Sequence, residues 1–319
     1  MTRSAIESKL RTLVDHAWEQ EVRWPQIEAW AKNFNGDIVD VDEEQLHALF
    51  ALSRFLYFGK RMIREMLKSL YRDHFESPMI QRIRRNYGET KDTALLRRIY
   101  RQELCATRFI GVGNPSESGA HLLYFFRQVN YLSKDLFVDL GSAFRATAVR
   151  HSTSVSIAYA PQDAKASRYV FFDDLVGSGT QASGYLSTQI KEIRRSNPNI
   201  ELKFMSLFAT PAGLAKMNAP DMFDGNAMCL FELDDTYKAF SADSRYFVGA
   251  PSWFTSRSLE NIAFSYGKKI NPGYELGYKD GQLLLGFSHN TPDNTLPIFW
   301  AEGSLSPWAP VLIRYDKAY

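Results

Sequence analysis

Apolar residues along the first hundred positions recur at helical spacing. Leu46, Leu49, Phe50, Leu56 and Tyr57 return every three or four residues with Ser53 on the same stripe, and Asp42, Glu43 and Glu44 stand where that helix would begin. Carboxylates there complement the exposed amides and the positive end of the helix dipole. The pattern continues through 61–71, and Ser77 followed by Pro78 suits a cap and a first-turn proline opening another helix. Trp18, Trp24 and Trp30 occur in this region at spacings that fit core packing.

Near residue 105 the period shortens. Thr107-Arg108-Phe109-Ile110 reads as a strand, the glycine-rich stretch 111–119 as a loop and 121–132 as an apolar helix. Further strands are predicted over 152–159, 168–172, 202–208 and 227–231, with helices over 184–195 and 212–217. Strands alternating with helices predict an α/β fold, a mostly parallel sheet flanked by helices on both faces. After Asp235 the rhythm is lost: a helix over 259–268 and a strand over 283–287 lead into turn-forming residues at 289–297. Three segments are expected, an N-terminal helical region 1–103, an α/β core 104–236 and an irregular C-terminal α+β hood 237–319.

A length of 319 residues allows one large core or two smaller ones, and 45% hydrophobic with 23% charged residues argues against a disordered or fibrous chain. The formal net charge of +2 identifies no partner. Residues 60–108 hold 13 Lys or Arg against 6 Asp or Glu, an excess that suits either phosphates of a nucleic acid or the solvated faces of helices. Cys105 and Cys229, the only cysteines, form no CxxC pair and read as small buried hydrophobes. His16, His47, His74, His121 and His151 show no metal-ligand spacing. The first residues lack the apolar core of a signal peptide, and no apolar run nears the ~18 residues of a membrane span, so a cytoplasmic location without a membrane partner is expected.

The chemistry concentrates in Val170-Phe171-Phe172-Asp173-Asp174-Leu175-Val176-Gly177-Ser178-Gly179-Thr180. A buried strand ends in two acids, then two glycines bracket a serine, and a helix follows. Ligands of open α/β sheets bind beyond the carboxyl ends of strands. Gly177 and Gly179 permit backbone conformations that side chains forbid, so successive amides can converge on one anion with the helix N-terminus behind them. Ser178 and Thr180 add hydroxyl donors, while Asp173 and Asp174 suit ribose hydroxyls or, through water, a magnesium ion. A Walker-type loop is excluded because no Gly-Lys-Ser/Thr follows the glycines, and no GxSxG elbow or Cys–His arrangement points to covalent catalysis.

This order of residues resembles the ribose-phosphate motif of type I phosphoribosyltransferases. The resemblance implies that Asp173 and Asp174 are the catalytic, sugar-binding acids, holding Mg2+ indirectly, and that Gly177, Ser178, Gly179 and Thr180 wrap the 5′-phosphate with Gln181 behind them. Gln181 departs from the family, many members of which keep Thr or Ser there. The loop 111–119 would hold pyrophosphate through Ser116, Ser118 and the amide of Gly119, with Glu117 unsuited unless it faces a metal, although a capped surface helix explains it equally. The Gly-Ser-Gly-Thr loop, Trp30-Ala31-Lys32-Asn33-Phe34 and the tail 289–300 are similar to the branch of bacterial conflict (anti-phage) systems. His289, Asn290 and Asn294 in that tail, with Asp293, can contact a base or simply make turns. The implied activity is transfer of a phosphoribosyl group from phosphoribosyl diphosphate with pyrophosphate release, a glycosyltransferase reaction, and the branch implies an effector of antiviral defence with a partner protein. A non-catalytic nucleotide sensor and a nucleic-acid-binding effector are the rival expectations.

Overall fold

Thr2 caps the first helix, α1 (Arg3–Thr12), by accepting from the Ala5 amide, and Ile6 and Leu10 on its inner stripe are fully buried. Helices α2 (Trp24–Ala31) and α3 (Val41–Leu52) follow, then a short strand β1 (Leu56–Phe58). The periodic stripe was expected to stay helical through Tyr57. Instead the helix stops at Leu52, and Leu56 pairs in parallel with Leu285, because a distant strand offers its backbone a ladder. The computed structural model describes residues 1–113, 118–150, 152, 155–303 and 307–315.

Helix α4 (Lys60–Tyr71) runs without a break through a wider π-type turn (Arg72–Glu76) into α5 (Ser77–Asn86), so Ser77 is itself helical and not the expected cap. Asp92 caps α6 (Thr93–Cys105) by accepting from the amides of Ala94 and Leu95. Then come β2 (Thr107–Gly111), α7 (Ser118–Val129), α8 (Leu140–Ala143), β3 (Phe144–Arg150), β4 (Val155–Pro161), β5 (Arg168–Val176), α9 (Thr180–Ser196), β6 (Glu201–Ala209), α10 (Pro211–Met217), β7 (Ala227–Glu232), α11 (Ser256–Ile270) and β8 (Leu285–Phe287). Cys105 is exposed at the end of α6, contrary to expectation, since no neighbour covers that helix end as a core would. Cys229 is half-buried, and burial pushes its thiol up to about 11.

The chain packs as two compact units, Met1–Ile63 with Leu233–Tyr319, and Arg64–Glu232. This differs from the three consecutive segments read in the sequence, because the first and last stretches share one core. Trp30 is fully buried, stacks on Phe299 and donates its indole N–H to the Ile298 carbonyl at 2.6 Å. Asn33 pairs its carboxamide with the backbone of Ala309 in both directions. Asp42, Glu43 and Glu44 occupy the first turn of α3, as expected, and Glu44 does more. It is completely buried and turns back to accept from the amides of Gly36, Ile38 and Val39 and from the Tyr266 hydroxyl at 2.6 Å. A buried carboxylate is tolerated when its lone pairs are met in this way.

In the second unit β2, β5, β6 and β7 form, in that order, one parallel sheet. Ile110, Tyr169, Phe171 and Phe204 pack with Ala182, Leu186, Ile190 and Ile193 of α9. Phe109 and Phe172 pack with Phe126 of α7, and Phe75 adds its ring against Phe109. Helices therefore cover both faces, as the alternating pattern predicts. The hairpin β3–β4 is antiparallel and lies outside this sheet.

At the amino ends of the strands a charged cluster replaces apolar packing. Arg168, only 4% exposed, donates to Glu201 at 2.6 Å, to Glu103 at 2.8 Å and to Thr107 Oγ1 at 3.2 Å. Arg82 reaches both glutamates from α5. Burial alone would raise the Glu201 carboxyl, but Arg168 and Lys203 outweigh it and hold the group at about 2. A carboxyl depressed on folding adds stability above its unfolded value and loses it as pH falls toward the folded one. Acid unfolding monitored by circular dichroism should therefore show wild type losing stability between pH 4.5 and about 2 more steeply than Glu201→Gln. In the first unit, Glu44→Ala strands three amides and should cost more than about 3 kcal/mol in denaturant unfolding, whereas Tyr266→Phe removes one charge-assisted bond and should cost about 1.5–3 kcal/mol.

Candidate functional site

Parallel strands end at a common edge, so the segments following Gly111, Val176 and Ala209 emerge side by side. β5 is longer than the apolar run suggested: its ladder with β6 continues through Asp173↔Ser206, Leu175↔Phe208 and Val176↔Ala209, placing both acids within the last turns of the strand. Each acid orients the next amide. Asp173 Oδ1 accepts from the Asp174 N–H at 2.9 Å, and Asp174 Oδ1 from the Leu175 N–H at 2.8 Å. Asp173 is half-buried and Asp174 is 8% exposed.

The loop 177–179 then turns directly into α9. Gly179 has φ +67°, a left-handed conformation, and serves as the N-cap of this 17-residue helix. Gly177 has no such positive φ, so only one of the two glycines is required by backbone strain. Among the described residues, the amides of Gly177, Ser178 and Gly179 donate to no protein acceptor. The Ser178 hydroxyl donates to Thr180 Oγ1 at 3.0 Å, which keeps both hydroxyls together at the helix start. Thr180 begins α9, and Gln181 follows it on an exposed position of the first turn.

Two side chains, Thr210 just before α10 and Lys216 within it, help build the site with Gly213 between them, and sequence inspection missed all three. Thr210 donates to the Gly177 carbonyl at 2.6 Å and accepts from the Gly213 amide at 3.1 Å, anchoring the loop to the start of α10. Gly213 lets the two segments approach: a Cβ there would lie 2.3 Å from the Gly177 carbonyl oxygen. The Lys216 stem passes Gly179, its Cβ and Cδ lying 3.3 and 3.2 Å from where a Gly179 Cβ would stand. None of the three belongs to the phosphate motif, and the one local cue was the threonine–proline start of a short helix.

The second loop is described in part. Residues 114–117, including Ser116 and Glu117, lie outside the described residues, as does the side chain of Ser118, whose backbone opens α7. Gly119 is buried against the β2 and β5 ends, where a Cβ would stand 2.8 Å from the Val112 carbonyl oxygen and 2.9 Å from that of Phe172. Close backbone approach thus accounts for this glycine. His289, Asn290 and Asn294 belong to the other unit. The His289 ring stacks on Phe287, Asn290 Oδ1 accepts from the Tyr315 amide, and Asn294 donates to the Tyr278 carbonyl at 3.0 Å. The turn-forming alternative explains both asparagines, and no single unit gathers them with the 177–180 loop.

No group of three or more His, Cys, Asp or Glu side chains among the described residues could cage a metal ion. No described helix is long and apolar enough to cross a membrane. The basic stretch of α4 to α6 divides between exposed side chains and ion pairs such as Lys68–Glu65, Arg72–Asp73 and Arg84–Glu89.

The chain was compared with known proteins. A search of curated sequences returns no match. Among solved structures, similarity is found to the Helicobacter pylori xanthine-guanine-hypoxanthine phosphoribosyltransferase, at 13% identity over 57% of this chain and 86% of that one with a TM-score of 0.28. The purine phosphoribosyltransferase of Pyrococcus horikoshii Ot3 is similar at 11% identity over 57% and 87% of the two chains, with a TM-score of 0.26. The family model described as PRTase-CE matches residues 27–314, which takes in the helical start, the sheet with its acid-and-glycine loop, and the tail. The chain belongs to the PRTase-CE family and is a type I phosphoribosyltransferase-like protein.

Proposed function

We propose that the protein binds phosphoribosyl diphosphate, or a closely related sugar phosphate, at the carboxyl edge of the sheet and transfers its phosphoribosyl group. The observation that carries this reading is that, among the described residues, the amides of Gly177, Ser178 and Gly179 meet no protein acceptor at a left-handed N-cap that follows two strand-end carboxylates. Unpaired amides at a helix start are donors in search of an anion. The 5′-phosphate would accept from them and from the Ser178 and Thr180 hydroxyls, with the Lys216 ammonium as counter-charge. Asp173 and Asp174 would accept from the ribose hydroxyls.

In the transfer, the lone pair of an incoming nucleophile forms a bond to the anomeric carbon as the bond to the diphosphate oxygen breaks and its electron pair leaves with pyrophosphate. The positive charge that develops on the sugar lies near the two carboxylates, which would stabilise it without forming a covalent intermediate. Magnesium would supply charge neutralisation to the departing diphosphate, and Asp173 and Asp174 are the residues to hold it, through water. The resemblance to the conflict-system branch implies that the activity serves as an effector in bacterial antiviral defence.

Calorimetric titration of ribose 5-phosphate tests the site. Asp174→Asn should weaken binding by at least about tenfold, equivalent to about 1.4 kcal/mol, with the thermal midpoint little changed. An unchanged affinity removes the assignment. Gly179→Val must hold a β-branched residue at positive φ, which should cost about 1–3 kcal/mol in thermal unfolding and abolish detectable ribose 5-phosphate binding. Release of pyrophosphate from phosphoribosyl diphosphate, followed by a coupled phosphate assay, separates transfer from binding alone.

A further inference from the structure

A cavity of about 700 Å³ lies beside the edge strand β2, within the second unit. Its floor is one stripe of α7, Ala120, Leu123, Tyr124 and Arg127. Those positions span seven residues, so the groove runs about 10 Å along the helix. One end opens at Gly111 and Gly113, next to the carboxyl edge of the sheet. The connection between α7 and α8 supplies the other wall with Lys134 and Phe137, and Tyr185 of α9 closes over it. We infer that this groove is a second ligand site, which takes an elongated organic anion carrying a flat aromatic ring.

The class of ligand follows from the walls. Tyr124, Phe137 and Tyr185 present three aromatic side chains around an apolar floor, which favours a flat ring over an aliphatic chain. Tyr124 is 54% exposed and Tyr185 38%, more surface than either would leave uncovered in a finished core. Arg127 and Lys134 both line the groove, and neither makes an ion pair among the described residues. The guanidinium of Arg127 sits 5.9 Å from the Tyr124 ring centre, which places charge beside a stacking surface. Asp139 also lines the groove, but its carboxylate is occupied as the cap of α8, where it accepts from the Ser142 amide at 2.9 Å. Two cationic side chains against this one carboxylate leave the lining suited to an anion. The cavity volume lies within the range of small-molecule sites.

None of residues 173–181 lines this groove, although Gly111 and Gly113 belong to the 111–119 loop, and the inference does not need the 177–180 loop to take a sugar phosphate. The test uses 2-naphthoate, its neutral counterpart 2-naphthamide and ribose 5-phosphate, each titrated against the full chain by calorimetry and ligand-observed NMR. Naphthoate should bind with a Kd below about 1 mM and the amide about tenfold more weakly. The double variant Arg127→Gln/Lys134→Gln should reduce naphthoate to the level of the amide, and Tyr124→Ala should weaken both ring compounds. Ribose 5-phosphate should bind the double variant as it binds wild type. These substitutions fall on solvent-accessible side chains, and an unchanged thermal midpoint confirms the fold. Equal binding of acid and amide, naphthoate binding unaffected by the double variant, or no naphthoate binding up to about 5 mM overturns the inference. So does a matching loss of ribose 5-phosphate, which would make the groove an extension of the phosphate site.

Discussion

Parallel pairing of β5 with β2 on one side and β6 on the other decides where the loop 177–179 can go. The ladder holds the β5 backbone as far as Val176, and the buried stripe of α9 must return along the sheet within a few residues. Only a left-handed residue makes that turn so quickly, and Gly179 provides it. The consequence is electrostatic. Among the described residues the amides of 177–179 are then left without a protein acceptor, with the helix field behind them and carboxylates three and four residues before Gly177.

The two edges of the sheet divide their labour. At the amino edge, Arg168, Arg82, Glu103 and Glu201 satisfy one another, and the ion pairs are largely withdrawn from water. Removing one partner from such a cluster leaves a charge that the surroundings cannot solvate, so the cluster holds the strands in register at that edge. At the carboxyl edge, among the described residues, the amides of Gly177, Ser178 and Gly179 meet no protein acceptor. Thr210, Gly213 and the stem of Lys216 hold the loop in place while its amides stay available. Rigidity at one edge supports a preorganised site at the other.

The other unit is built on a different constraint. Its first and last segments are separated by the whole second unit, and each alone would expose half a core. Glu44, Trp30 and Asn33 reach from the first segment to Tyr266, Ile298 and Ala309 in the last. Bonds made by a buried carboxylate, an indole and a carboxamide are directional, so they select one arrangement of helices where apolar contact alone would accept several.

The sequence by itself determined the alternation of strands and helices over 107–232, the parallel α/β class and the strand–acid–glycine–hydroxyl junction. Those signals are local: burial periodicity, the conformational demand of glycine and the placement of carboxylates are all legible within a few residues. It also led to a misreading where a local pattern had two uses. The stripe through Leu56 and Tyr57 suits a helix as well as a short strand, whereas the acids 42–44 do open α3 as read, and Glu44 has a second role as a buried acceptor that the local pattern does not show. Only the tertiary structure decided that β1 pairs with β8, that Glu44 turns inward, and that Thr210 and Lys216 join the loop across the β5–β6 ladder. These choices depend on residues tens to hundreds of positions apart, and their energy arises only when the chain closes those distances, which no local spacing can encode.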